Sequence, residues 1–285
     1  MQDKIFRTIL ILSAIIIPII GGGIIYSLTD DASSAFEEFG FWNFIFSDDW
    51  NYTPGKESYG ALPFITGTLL TTFLALLFCI PFSLPVALFV GEYFRGRKIA
   101  TVLSTVTDLL AGIPSIIYGL WGFYALRPIF MELEISPQGS GILTAAFVLA
   151  IMIVPYAASL SAEFIKMVPS ELKEGAYAMG ATRAEVIKRV IFPMAGSGGF
   201  SAYILAIGRA LGETMTVTML IGNTNQVPDS LTTTGNTMAS IIANQFGEAD
   251  GLKLSSLIAI GLILFLITAI INMIGKILIR RAQHV

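Results

Sequence analysis

Two ionisable residues, Arg209 and Glu213, lie inside a long apolar run of the sequence. Ionisable side chains within membrane spans are costly and usually functional. A spacing of four residues predicts that the two share one helix face and can pair. The guanidinium offers a planar fork of donors that suits an oxyanion, and the glutamate could take the fork back when the anion leaves. The pattern predicts an anion path, with a structural ion pair between packed spans as the alternative.

A second candidate for this path is Ser115, in the stretch Gly112-Ile113-Pro114-Ser115. Proline and glycine interrupt a helix here, which could free backbone groups and the serine hydroxyl toward a cavity. A packing kink explains the same residues equally well. Asp108, a few positions earlier, has either an interfacial helix-start role or a role in gating.

A polar stretch at residues 166–198 separates two apolar runs, so it faces another protein rather than lipid. Ser170 follows a proline and is a plausible helix start, and Gly180 is suited to a left-handed helix end. Thr182 and Glu185 have the spacing of a capping box for a second helix, which we expect Pro193 to end. The stretch therefore predicts two short helices joined by a tight turn.

The elements that must carry these residues are membrane helices. Hydrophobic residues make up 54% of the 285-residue chain and charged residues only 13%, which indicates lipid as the solvent. Six segments reach the roughly 20 residues that a spanning helix needs. They are Ile5–Leu28, Leu62–Val90, Ile99–Leu126, Ile142–Phe164, Gly199–Ile221 and Ser255–Ile279. The predicted fold class is an all-α polytopic membrane protein with six transmembrane helices.

Most of the 17 basic residues fall on one side of this arrangement. Under the positive-inside rule, that side is cytoplasmic and holds both termini. The cytoplasmic basic residues are Lys4, Arg7, Arg95, Arg97, Lys98, Lys166, Lys173, Arg183, Lys188, Arg189, Lys276, Arg280 and Arg281. The outside loop Thr29–Ala61 is acidic and aromatic, and we expect its aromatic rings to form an interfacial belt.

The sequence lacks the residue patterns that ATP binding, metal binding and intramembrane hydrolysis require. The sequence has no phosphate-binding loop for ATP and no cluster of metal ligands. It also lacks the serine with a buried base, or the aspartate pair, of an intramembrane hydrolase. We therefore expect neither an enzyme nor a bound cofactor, so transport energy must come from a partner.

The segment Glu174-Gly175-Ala176-x-x-x-Gly180, followed after nine residues by Val-Ile-Phe-Pro193, resembles the EAA loop of ABC-importer permeases. The family pattern has alanine at Gly175, isoleucine at Val190 and leucine at Phe192. The resemblance implies a cytoplasmic coupling helix that docks on an ATPase subunit, with Glu174, Gly175, Ala176, Gly180 and Pro193 as the coupling residues.

Three further segments resemble phosphate-specific permeases, the PstC type more than the PstA type. They are Gly208-Arg-Ala-Leu-Gly-Glu-Thr214-Met, the stretch from Ala111 to Gly122, and the outside stretch from Thr234 to Ala249. By this resemblance Thr214 joins Arg209, Glu213 and Ser115 on the substrate path.

The resemblance implies a cell-membrane permease of the type I importer kind for inorganic phosphate. Its expected partners are a PstA-like permease, two PstB-like ATPase subunits that bind ATP and magnesium, and a PstS-like extracytoplasmic binding protein, with no nucleic acid. The alternatives are the PstA-type sibling, a permease for another oxyanion, and a proton-coupled secondary transporter. The predicted organisation is an N-terminal anchor and outside loop at residues 1–61 and a permease core at 62–285.

Overall fold

The computed structural model describes residues 2–53 and 55–282. Within these residues, five helices are long and apolar enough to cross a membrane, and one bent pair of helices adds a sixth crossing if it is a single span. The prediction of an all-α polytopic fold is confirmed. Its only described strands are the two-residue pair β1 (Trp50–Asn51) and β2 (Ser58–Tyr59).

The remaining elements follow in chain order. The helices are α1 (Gln2–Phe39), α2 (Phe41–Phe46), α3 (Leu62–Leu88), α4 (Lys98–Ala111), α5 (Ser115–Trp121), α6 (Arg127–Glu132), α7 (Ile142–Lys166), α8 (Ser170–Ala178), α9 (Arg183–Val186), α10 (Phe192–Leu211), α11 (Met215–Leu220), α12 (Met238–Gln245) and α13 (Gly251–Ala282). Three π turns occur at Phe89–Tyr93, Gly122–Leu126 and Ile187–Ile191, and a 3₁₀ turn lies at Phe246–Glu248.

Helix α7 is the centre of the bundle and packs against α3, α4 and α10. Most of its residues are apolar, as expected of a helix that is largely surrounded by other helices. Small buried residues such as Ala146 and Ala150 allow these neighbours to approach closely. The main apolar core therefore lies around α7.

The third span is broken rather than gently kinked. Helix α4 ends at Ala111, α5 begins at Ser115, and the two are bent by 92°. Pro114 has an extended backbone (φ −56°, ψ 139°) immediately before α5, and its ring cannot continue the hydrogen-bond ladder of α4. The predicted interruption at Gly112–Ser115 is thus confirmed, and it is a sharp corner.

Pro193 does not end the helix that begins after the capping box, so this expectation is wrong. Helix α9, the π turn Ile187–Ile191 and α10 form one run from Arg183 to Leu211. An α-helix excludes proline because its ring collides with the carbonyl four residues earlier. Here the Phe192 N–H bonds to the Ile187 carbonyl, and this wider turn accommodates the proline in the first turn of α10.

The fifth span also ends earlier than expected. The sequence predicts a helix over Gly199–Ile221, whereas α10 stops at Leu211 and a separate helix, α11, starts at Met215. Residues 212–214 form a break between them. Both breaks, at 112–114 and at 212–214, lie near residues that the sequence assigns to an anion path.

The aromatic residues after the first span do not all form a surface belt. Helix α1 continues to Phe39, and Phe44 and Trp50 are buried in a second apolar cluster with α12 and α13. The ring centroids of Trp50 and Phe64 lie 4.9 Å apart, edge to face. Trp42 stays exposed. Edge-to-face aromatic pairs stabilise a packed core, so this region is an extension of the bundle.

Candidate anion path and coupling segment

Arg209 lies in the last turn of α10 with an exposed side chain. Its guanidinium carbon is 5.9 Å from the ring centroid of Tyr156 on α7, at the outer limit of a cation–π contact. The described residues form two salt bridges, Glu163–Lys166 and Glu92–Lys173, and neither includes Arg209. The guanidinium fork is thus open to a ligand.

Glu213 does not share a helix face with Arg209, so the predicted i, i+4 pair is wrong. Helix α10 has already ended at Leu211, which takes Glu213 out of the helical register. Its carboxylate instead accepts a hydrogen bond of 3.2 Å from the Thr216 backbone N–H, in the first turn of α11. A free N–H at a helix start attracts a carboxylate, so Glu213 stabilises the new helix.

The structure joins the two helix breaks to each other. The Thr216 hydroxyl donates a hydrogen bond of 2.8 Å to the carbonyl of Ser115, across 101 positions of sequence. Thr214, in the second break, donates through its hydroxyl to the Gly212 carbonyl at 3.3 Å. A Cβ on Gly119 of α5 would lie 3.2 Å from the Thr216 Cα, so α5 and α11 approach closely only because residue 119 is glycine.

Ser115, Glu213 and Thr214 therefore meet at the junction of α5 and α11, and Arg209 lies one turn of α10 away from it. Ser115 contributes its backbone carbonyl to this junction. A nearby cavity of about 270 Å³ is apolar, lined by Ile113, Ile117, Tyr118, Trp121 and Ile151. Ser115 is not among its lining residues, so this cavity does not receive the serine hydroxyl.

Sequence reasoning missed the polar face of α7 that lies next to Arg209. The Ser159 hydroxyl donates a hydrogen bond of 2.9 Å to the Asp108 carboxylate, and Tyr156 lies three residues before Ser159 on the same face. Asp108 is exposed in the last turn of α4, not at a helix start. An arginine and a carboxylate thus flank one strip of α7.

The coupling segment, which we define as residues 166–198, begins much as the sequence predicts. Helix α8 starts at Ser170, and Gly180 has a left-handed backbone (φ 84°). The capping box is present, since the Thr182 hydroxyl accepts from the Glu185 N–H and the Glu185 carboxylate accepts from the Thr182 N–H. Local hydrogen bonds therefore fix the turn between α8 and α9.

One face of α8 has no partner within the described part of the chain. Glu174 and Gly175 are exposed, and a Cβ at Gly175 would meet nothing within 4 Å. Large apolar side chains are exposed beside them, with Met179 at 89%. Exposed apolar surface next to small residues is typical of a protein docking surface.

The opposite face of α8 is fixed to the bundle. Lys173 is buried and its ammonium group lies 2.5 Å from the Glu92 carboxylate, in the π turn after α3. Arg183 at the start of α9 stacks on the Tyr93 ring, with 4.0 Å between the guanidinium carbon and the ring centroid. The coupling segment therefore has one anchored face and one exposed face.

A bundle of broken and continuous spans with an exposed helix at one end is the architecture of an importer permease subunit. The family described as "Binding-protein-dependent transport system inner membrane component" matches residues 83–284. The chain belongs to this family, and it is a multi-pass membrane protein.

The chain is also similar to individual curated proteins. It is 39% identical to the phosphate transport system permease protein PstC of Pasteurella multocida, over 99% of this chain and 92% of the relative. It is 39% identical to PstC of Mesorhizobium japonicum, over 99% of this chain and 91% of the relative. The probable PstC of Methanocaldococcus jannaschii is 37% identical, over 90% of this chain and 87% of the relative.

Two solved structures show the same fold. The MetNI methionine ABC transporter in an inward-facing conformation aligns with a TM-score of 0.61 at 21% sequence identity, covering 76% of this chain and 94% of the matched chain. An amino acid ABC transporter aligns with a TM-score of 0.53 at 21% sequence identity, covering 77% of this chain and 92% of the matched chain.

Proposed function

We propose that this chain is a transmembrane permease subunit of an ATP-driven importer for inorganic phosphate. The observation that carries the proposal is Arg209, an exposed arginine next to two joined helix breaks, without a salt bridge in the described structure. The named relatives, similar over nearly the whole chain, support phosphate as the substrate.

The substrate step assigned to Arg209 is bidentate binding of an oxyanion. A guanidinium presents two parallel N–H donors that match two oxygens of a phosphate group. Glu213 is already bonded to the Thr216 N–H, so it does not act as the alternating partner of the arginine. Release of the anion then depends on movement of α10 against α7, which changes the surroundings of the fork.

The energy for that movement comes from partners of the chain. The exposed face of α8, with Glu174 and Gly175, docks on an ATPase subunit, and the half-buried Ala176 packs beneath it against the bundle. ATP and magnesium bind to the ATPase rather than to this chain. A PstA-like permease completes the path, and a PstS-like binding protein delivers phosphate on the extracytoplasmic side. Both termini and the coupling segment are cytoplasmic, as the basic residues indicate.

Uptake of labelled phosphate tests this function, in cells that lack the chain and in cells complemented with it. We expect uptake that requires the chain and survives an uncoupler while ATP is maintained. Arsenate should inhibit this uptake competitively, and sulfate and molybdate should not. Displacement by sulfate or molybdate would overturn the substrate. Collapse with the proton gradient at constant ATP would favour a secondary transporter.

A further inference from the structure

We infer that Glu92, Lys173 and Arg183 form an ionic clasp through which the coupling helix α8 moves the second span, α3. The inference rests on the proposed function, because it assigns these residues to the transmission of ATPase motion. Their role is positioning, since none of them contacts substrate. The chain connects α8 directly only to α7 and to the α9–α10 run, so a link to α3 must be made by side chains.

The first part of the clasp is the ion pair between Lys173 and Glu92. The two side chains are only 9% and 10% exposed, and the Nζ–Oε2 distance is 2.5 Å. A pair at this depth is costly to separate, because each charge would be left without its partner and largely without water. The pair therefore holds α8 against the end of α3 far more firmly than a surface ion pair could.

The second part is Arg183, which engages the backbone of the same π turn. One of its terminal nitrogens donates to the Tyr93 carbonyl at 2.9 Å and to the Glu92 carbonyl at 3.3 Å. Carbonyls at the end of a helix have no partner inside the helix, so they accept readily from a cation. The stacking of the guanidinium on the Tyr93 ring fixes its direction.

Apolar packing beneath the clasp prevents slippage between the spans. Val90 of the π turn, Ile165 of α7 and Ile187 of the next π turn belong to one buried cluster. A Cβ on Gly91 would lie 2.8 Å from the Ile165 side chain, so the π turn that follows α3 touches α7 through the glycine. Displacement of α8 is thus passed to α3 as well as to α7 and α10.

The clasp links elements that are remote in sequence, since Lys173 lies 81 positions after Glu92. The coupling segment connects α7 to the α9–α10 run through the chain itself. The clasp adds α3, so the segment contacts three spans. In a permease whose path must open and close, this junction makes α3 move together with α10, the helix that carries Arg209. Without the clasp, the partner ATPase would still hydrolyse ATP, but its motion would not be transmitted fully to α3.

The test uses the complete complex of both permeases, the ATPase subunits and the binding protein in proteoliposomes. Phosphate uptake and ATP hydrolysis are measured on the same vesicles. For Glu92→Gln we expect phosphate transported per ATP to fall by about five-fold or more, the lower end of usual coupling between sites. The exchange Glu92→Lys with Lys173→Glu restores the pair and should recover most of the ratio.

The control is Glu163→Gln, which removes the neighbouring ion pair with Lys166, where the glutamate is 63% exposed. We expect its ratio to equal that of the unaltered protein. Arg183→Lys serves as a second variant should Glu92→Gln assemble poorly, because it keeps the charge and loses the fork and the stacking. We expect a smaller but measurable fall in the ratio.

An unchanged ratio in both Glu92→Gln and Arg183→Lys would overturn the clasp, even if hydrolysis and uptake fell together. A charge exchange that fails to recover the ratio in an assembled complex would also count against it. Failure of the proposed function looks different, since the unaltered complex would then not accumulate phosphate at all.

Discussion

The two ends of α10 are built in opposite ways. At its N-terminal end, the helix continues without interruption through a π turn into α9, where Arg183 stacks on Tyr93, and the adjoining helix α8 is held by a buried ion pair. At its C-terminal end, the helix stops at Leu211 and Arg209 is exposed. The firmly held end is suited to receive force, and the interrupted end is suited to change its contacts with a ligand.

The breaks at residues 112–114 and 212–214 meet at the interrupted end of α10. Hydrogen bonds inside an unbroken span leave its backbone unavailable to anything else, whereas a break releases backbone groups. The Thr216 hydroxyl and the Ser115 carbonyl satisfy each other across the two breaks, so the junction is stable yet small. A few hydrogen bonds can rearrange there without unfolding either helix.

The largest effect is expected from Arg209→Gln at the interrupted end. Loss of a bidentate contact removes about 1.5–3 kcal/mol for each charge-assisted hydrogen bond, so phosphate uptake should fall roughly 100-fold or more. Labelled uptake and recovery of the assembled complex are measured together, with the exposed Arg7→Gln as the matched control. Normal uptake by an assembled Arg209→Gln complex would remove Arg209 from the path.

A second substitution, Gly119→Val, acts on the packing between the breaks. A Cβ at this position would lie 2.9 Å from the Met219 sulfur and 3.2 Å from the Thr216 Cα. Overpacking of this kind costs about 1–3 kcal/mol, which thermal unfolding of the purified complex should reveal as a lowered midpoint. An unchanged midpoint would mean that the α5–α11 contact is looser than the structure shows.

Glu213→Gln tests whether this residue serves the helix start or the arginine. Glutamine keeps an oxygen that can accept from the Thr216 N–H and loses only the charge, which is worth about 0.3–1 kcal/mol at a helix start. We therefore expect uptake within about five-fold of normal, far above that of Arg209→Gln. A loss as large as that of Arg209→Gln would restore the glutamate to the anion path itself.

The smallest effect is expected from Gly175→Ala, on the exposed face of the coupling helix α8 that adjoins the firmly held end. The position lies inside α8 with open space around it, and alanine favours a helix over glycine by about 0.5–1 kcal/mol. Uptake should be unchanged and the unfolding midpoint equal or slightly raised. Reduced uptake with intact stability would show that the ATPase surface needs the missing methyl group at this position.

Sequence reasoning succeeded where the determining interactions are local. Ser170, Gly180 and the Thr182–Glu185 box act within a few residues, and each has the predicted geometry. The six-span membrane class likewise follows from composition and from the length of the apolar runs.

It failed where distant contacts decide the outcome. The pairing of Glu92 with Lys173 spans 81 positions, and the bond from Thr216 to Ser115 spans 101. The proposed partnership of Arg209 and Glu213 assumed an unbroken helix, and local rules did not reveal that α10 stops at Leu211. The prediction that Pro193 ends its helix was also wrong, because a π turn removes the steric conflict by which proline usually terminates a helix.

The π turn at Ile187–Ile191 also sets the rotational phase of α10. A π turn holds one more residue than a regular α-helical turn, and each residue of an α-helix advances the helix by about 100° around its axis. The direction in which Arg209 points is therefore determined about five helical turns earlier, within the coupling segment. Shortening that turn by one residue would swing the guanidinium about a quarter-turn away from Tyr156, with every side chain of α10 still present.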